Sequence, residues 1–129
     1  MTLNEALEDI EIAFPQVEFV IKLLSYCELE KIDALEFDTD TVLLQNGNLG
    51  FPTGHFSDPD NIIKAAMVMV SLAFGASALA LDKAYEVAEV ELDASSDNNV
   101  VRLRTLVYMV RCAYAHGIAN PKMGSAGHI

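Results

Sequence analysis

The chain has 129 residues, 52% of them hydrophobic and 21% charged, and a net charge of −11. That length suits one domain with a sizeable core, and the composition argues against disorder. The acidic balance argues against a general nucleic-acid coat protein or a membrane-surface binder, both of which need a broad basic field.

The first helix is expected from Thr2, where Thr-Leu-Asn-Glu has capping-box spacing with Glu5 placed to reach back. Apolar residues then recur at Leu3, Leu7, Ile10, Phe14, Val17, Ile21 and Leu24, in steps of three and four that define a helical stripe. Pro15 lies inside this run and is expected to kink or split it, and the run ends around Leu29 to Ile32. Residues 41 to 51 read as a short β-hairpin turning at Asn46-Gly47. The glycine-rich stretch Gly47 to Gly54 lacks a following Lys-Ser/Thr and is no phosphate loop, so residues 46 to 57 read as an exposed tip, with His55 and Phe56 in a turn. The acidic run Glu28 to Asp40 reads as a solvated face.

Ser57 or Asp58 is placed to cap the next helix, with Pro59 or Asp60 in its first turn, and the helical pattern continues to about Leu92. Within it, Ala65 to Leu81 carries no charge over seventeen residues. Spanning a bilayer takes roughly 20 apolar residues. A helix buried on all sides of a bundle explains the run better, so no membrane is expected. Gly75 is expected to mark a close approach of another backbone. After the polar loop Asp93 to Asn99, Asp97 or Asn98 caps a last long helix with a core stripe of Val100, Leu103, Val107, Val110 and Tyr114. Gly117 and Pro121 end it. The expected fold is all-α: a bundle of three to four long helices with a small β-hairpin insertion. One helical domain should cover residues 1–122, and 123–129 should form a poorly ordered tail. The two cysteines, Cys27 and Cys112, are too few for a disulfide framework, and the acidic start has no apolar signal region, so the expected location is the cytoplasm.

Charge is unevenly placed. The first 97 residues hold four lysines against nineteen acids, a balance of −15. Residues 98 to 129 hold four basic residues and no acid, a balance of +4, and all three arginines lie there. Such asymmetry points to a localised anion site. Its centre is Arg111-Cys112-Ala113-Tyr114-Ala115-His116, followed by Gly117. Histidine at a helix C-terminus holds its proton more readily and can pass protons, while arginine can fork onto a phosphate. Such a pair could cleave RNA by moving the 2′-hydroxyl onto phosphorus, with no metal or other cofactor. On a straight helix the two side chains point about 140° apart. They act together only if the helix unwinds at Gly117 or a second subunit supplies the partner. Read purely as structure, His116 is a charged helix cap and Arg111 pairs with an acid of the first two helices. Cys112 and His116 also have a metal-ligand spacing, but no second ligand pair supports it, and buried thiols are the plainer reading.

In these residues the chain resembles the HEPN superfamily (higher eukaryotes and prokaryotes nucleotide-binding domain), small α-helical bundles that include metal-independent ribonucleases. Arg111, the four-residue spacing, His116 and Gly117 match its signature late in the domain, and the two long helices before it match in general architecture. The residue after the arginine is frequently polar in that family and is Cys112 here. The resemblance implies a homodimer with a shared cleft in which Arg111 steadies a phosphate and His116 moves protons. Arg104 and Lys122 would guide an RNA backbone, and Tyr108 or Tyr114 would stack or hydrogen-bond. It also implies a toxin or defence role with a cognate antitoxin or nucleotidyltransferase partner. The alternative is a non-catalytic HEPN-like dimerisation or protein-interaction module that uses the acidic surface.

Overall fold

In this computed structural model residues 1–116 are described, the last through its backbone alone. The elements run α1 (Leu3–Glu28), α2 (Ala34–Phe37), β1 (Thr41–Leu44), β2 (Gly47–Gly50), α3 (Pro59–Val87) and α4 (Asn99–His116). This is a helical bundle with a small antiparallel hairpin, as the sequence pattern predicts.

Helix α1 opens on the expected capping box. Thr2 Oγ1 accepts from the Glu5 backbone N–H at 3.2 Å, and the Glu5 carboxylate accepts from the Thr2 N–H at 3.4 Å. Pro15 does not split the helix, which runs 26 residues through it. Both α1 and α3 end in the same six-residue hydrogen-bonded loop. Glu30 and Lys31 N–H donate to the Cys27 and Tyr26 carbonyls, and Glu89 and Val90 N–H to those of Glu86 and Tyr85. The residue that turns the chain has a left-handed backbone, with φ 56° at Glu30 and 60° at Glu89. Glycine usually takes this place. Its absence explains why the helical pattern reads on to Leu92, whereas α3 stops at Val87. Asp58 caps α3, accepting from the Asp60 N–H at 3.0 Å. Asn98 caps α4, accepting from Val100 at 2.9 Å and Val101 at 3.3 Å.

The hairpin pairs Thr41 with Gly50 and Leu44 with Gly47, so Gln45-Asn46 forms the turn, one residue earlier than Asn-Gly suggests. Gly47 carries a positive φ at the start of β2. The one-turn helix α2, capped by Asp33, has no counterpart in the sequence reading. The loop after the hairpin is anchored at its base, where Asp38 accepts from the Gly54 N–H and Phe37 meets Phe56 edge-on at 5.8 Å between centroids. Residues 46 to 55 are exposed, whereas Phe56 joins the cluster of Cys27, Ala34, Ile62 and Ala66.

That cluster joins the end of α1 to the start of α3, so the two helices run antiparallel. The buried positions are small: Ala6, Val20 and Cys27 on α1, and Ile62, Ala66, Ala73, Ser77 and Ala84 along one face of α3. Small side chains allow helix axes to approach closely. The larger apolar residues expected as the α1 core stripe flank this seam instead, and Leu3, Leu7, Phe14 and Ile21 are exposed. Helix α4 packs antiparallel on the other side of α3, through Gly75, Ala78 and Asp82. At 100° per residue that face lies roughly 160° from the α1 face. Helix α3 is therefore sandwiched edge to edge between α1 and α4, and among the described residues its two remaining flanks are open. It is not buried on all sides. By length and composition it is apolar enough to cross a membrane, with a mean hydropathy of 1.9 over its most apolar 18 residues, of which 28% are buried.

Candidate functional site

Asp82 is the centre of the α3–α4 contact. It ends the long uncharged run of α3, and the antiparallel packing sets it opposite two arginines of α4. Arg104 Nη1 lies 2.8 Å from Asp82 Oδ1, with both side chains about 95% buried (6% and 5% exposed). The two atoms meet as a contact ion pair misaligned for a hydrogen bond, and Arg104 Nε is buried with no hydrogen-bond partner among the described residues. Arg111 Nε lies 3.6 Å from Asp82 Oδ2, and its side chain is 42% exposed. Two guanidiniums thus flank one carboxylate. The trio has a formal charge of +1, and Arg111 is the member that reaches the surface.

This arrangement corrects the expected core stripe of α4. Val100 and Leu103 are exposed, and the buried positions are Val101, Arg104, Cys112 and Ala113. A charged side chain is rarely buried unless paired, and Asp82 supplies the pairing that sequence periodicity does not reveal. It also corrects the place of Arg104. A guanidinium this deeply buried is held inside the fold and presents nothing to an RNA backbone. The plain structural reading of Arg111, a pairing with an acid of an earlier helix, holds in the contact with Asp82. The only sequence signal for Asp82 was its position as the first charge after seventeen uncharged residues.

Arg111 borders a groove of about 370 Å³ on one flank of α3, lined by Leu72, Gly75, Ala76, Leu79, Tyr114 and Ala115. The close approach at Gly75 is made by a side chain and not by the backbone that its position in a helix suggested. A Cβ there would lie 3.0 Å from Tyr114 Cδ1 and 3.1 Å from Cγ. The absent side chain lets the Tyr114 ring settle against α3, next to Arg111. Tyr108 stands under Arg104, whose guanidinium carbon lies 5.6 Å from the ring centroid. The Tyr108 phenol is pushed above its ordinary pKa, chiefly by its hydrogen bond with the Cys112 thiol, while the Arg111 charge opposes the shift. Cys112, which stands where the HEPN pattern is frequently polar, is itself buried.

The structure thus brings Arg104, Tyr108, Arg111 and Tyr114 to one α3–α4 seam. The side chain of His116 and the whole of Lys122 lie outside the described residues, as does the expected tail. Among the described residues no group of three His, Cys, Asp or Glu side chains is placed to hold a metal ion. Compared with known protein families, characterised proteins and solved structures, the chain matches none.

Proposed function

We propose that this chain is a HEPN-type endoribonuclease that works without metal as a homodimer, with Arg111 and His116 as its catalytic pair. The observation that carries this reading is the state of Arg111. It is half-exposed on a groove, held from behind by a carboxylate that a second arginine already shares, and so retains charge and donors for an anion. Arginine presents paired donors that match phosphate oxygens. In the reaction, His116 takes the proton of a ribose 2′-hydroxyl as the 2′-oxygen bonds to phosphorus. The bond from phosphorus to the 5′-oxygen breaks, and that oxygen takes up a proton. The products are a 2′,3′-cyclic phosphate and a 5′-hydroxyl. Arg111 stabilises the charge that builds on the phosphate oxygens. Tyr114, which lies beside Arg111 in the groove, would stack on a base, and Lys122 would follow the RNA backbone. The second subunit completes the site across a two-fold axis. A toxin or defence role with an antitoxin or nucleotidyltransferase partner belongs to this reading.

The test is cleavage of a mixed RNA pool in excess EDTA by wild type, Arg111→Ala, His116→Ala and the double variant, each first shown to be folded. Losing the arginine donors should cost roughly 10²–10³ in rate and losing the proton transfer ~10²–10⁴. The double variant should be about as inactive as either single one, because both groups serve one step. Equal inertness of all four proteins across RNAs and pH sinks this reading. The second reading, a non-catalytic interaction module, is favoured by the many large apolar side chains left exposed, among them Phe14, Phe19, Met67, Leu72, Phe74 and Leu106.

A further inference from the structure

The β-hairpin is the least supported element of the fold. Its strands pack chiefly on each other, and of residues 41 to 50 only Val42 is even half-buried. A hairpin of two strands is marginal in water, and stability comes with further strands and an apolar face. Such a face is present. Val42, Leu44 and Leu49 share one side of the hairpin, and both leucines are more than half exposed. We infer that β2 pairs antiparallel with β2 of a second copy about a two-fold axis, so that two hairpins make one four-stranded sheet.

The register shows which edge is open. The Phe51 N–H donates to the Asp40 carbonyl at 2.8 Å, so Val42–Leu49 and Leu44–Gly47 are hydrogen-bonded pairs, while Thr41–Gly50 and Leu43–Asn48 are not. The N–H and C=O groups of Thr41 and Leu43 therefore face out along β1, and those of Asn48 and Gly50 face out along β2. The β1 edge is stopped at Thr41. There the Thr39 hydroxyl accepts from the Thr41 N–H at 3.3 Å and donates to the Thr41 carbonyl at 3.2 Å. Among the described residues no backbone group bonds to the outward side of Asn48 or Gly50. An edge of this kind is a template for another strand.

Charge and symmetry select a second copy. Copies with a net charge of −11 repel one another, yet residues 41 to 56 hold no Asp, Glu, Lys or Arg. The nearest acids, Asp38 and Asp40, precede β1, the strand away from the contact. Two copies can therefore meet along β2 with no like charges opposed. Because only Asn48 and Gly50 face outward on this strand, a two-fold pairing has one register. Asn48 lies opposite Gly50 of the second copy, and Gly50 opposite its Asn48, each as a hydrogen-bonded pair. Leu49 then meets Leu49 between them, at the closer spacing of a pair without hydrogen bonds. Both lie on the face of Val42 and Leu44, so one apolar stripe crosses all four strands. The contact is separate from the dimer proposed at Arg111. The hairpin leads into the start of α3 at Pro59, and Asp82, which holds Arg111, lies roughly 35 Å farther along that helix.

The experiment uses the full chain with single cysteines placed on the hairpin, Leu49→Cys and Leu43→Cys, under mild oxidation. The native Cys27 and Cys112 are buried, and the unaltered chain is the control. Cβ atoms of a directly opposed pair lie about 4.5–5.5 Å apart, a small adjustment from the ~3.5–4.5 Å of a disulfide. Leu49→Cys should therefore link two chains quickly. Leu43→Cys, equally open to solvent but on the other face and the far strand, should not. Linking of both at one rate, or of neither, overturns the proposal. Gly50→Pro removes an outward N–H and no bond within the hairpin, and a Cβ there meets nothing nearer than the Asp40 carbonyl oxygen at 3.9 Å. Once circular dichroism shows it folded, its self-association in analytical ultracentrifugation should be weaker by roughly tenfold or more, since it loses half of the new hydrogen bonds. In a Leu49→Cys background it should also suppress the link. Unchanged association and linking in Gly50→Pro overturn the proposal as well. None of these readouts requires RNA cleavage. A protein inert on RNA leaves the hairpin contact standing, and an unlinked hairpin leaves the nuclease reading standing.

Discussion

Arg104 and Asp82 meet 2.8 Å apart on facing helices, in a contact from which solvent is almost wholly excluded. Arg111 approaches the second oxygen of the same carboxylate from the surface side. The α3–α4 contact is thereby polar at its centre, while the α1–α3 contact is built from small apolar side chains. One seam rests on packing, the other on charge.

Removing one member of the buried pair leaves the other uncompensated. Asp82→Asn and Arg104→Ala should each lower stability by about 3–5 kcal/mol. Arg111→Ala, half-exposed and at a longer distance, should cost under ~1 kcal/mol. Urea denaturation of the three variants measures this ranking. Similar losses for Arg104 and Arg111 would show that burial does not separate their roles.

Gly75→Ala tests the seat of Tyr114. The new methyl would press on Cδ1 and Cγ of the ring, which cannot fold away as a flexible chain end could. Overpacking costs about 1–3 kcal/mol, against a gain of about 0.5–1 kcal/mol from replacing glycine inside a helix. The single variant should be destabilised. In a Tyr114→Ala background the same change should stabilise, and a double-mutant cycle reads that change of sign.

The two helix ends predict a gain. Glu30 and Glu89 hold left-handed backbones and place negative charge beside helix C-termini. Left-handed geometry costs an L-residue roughly 1–2 kcal/mol, partly offset by the entropy that glycine loses on folding. Glu30→Gly and Glu89→Gly should each stabilise by up to ~1 kcal/mol in thermal unfolding. A loss at either site would mean that the glutamate side chain makes a contact of greater worth.

Burial pushes the Cys27 thiol above its ordinary value of 9.0, with the nearby Glu28 charge adding to the shift. The folded state therefore holds this proton more tightly than the unfolded chain does. Its contribution to stability is complete below pH 9.0 and is lost as pH rises through the folded value. Tyr108, raised above 10.0, acts in the same direction at higher pH. Denaturant midpoints should fall above about pH 9, and Cys27→Ala should flatten the first part of that fall. A profile unchanged by Cys27→Ala would remove this thiol as the cause.

Much of the local structure was legible from residue types alone. The Thr2–Glu5 box, Asp58 before Pro59, Asn98 and the Thr41-to-Phe51 hairpin are short-range chemistry, and a few neighbouring residues suffice to specify each. The concentration of basic residues in α4 was equally plain. What needed tertiary structure was which face of each helix meets another. Periodicity marks the large apolar residues, and it placed the core at Leu3, Leu7, Val100 and Leu103. The helices in fact close on Ala6, Val20, Ala73 and Ala84, because small residues let backbones approach, and they leave Leu3, Leu7, Val100 and Leu103 exposed. Asp82 could not be tied to Arg104 and Arg111 from sequence, since more than twenty residues separate them and only the antiparallel return of α4 sets one carboxylate between two guanidiniums. Residue types determined where helices begin and where positive charge collects, because those depend on near neighbours. Packing alone decided that Arg104 is interior and Arg111 stays at the surface, because burial depends on what the opposite helix offers.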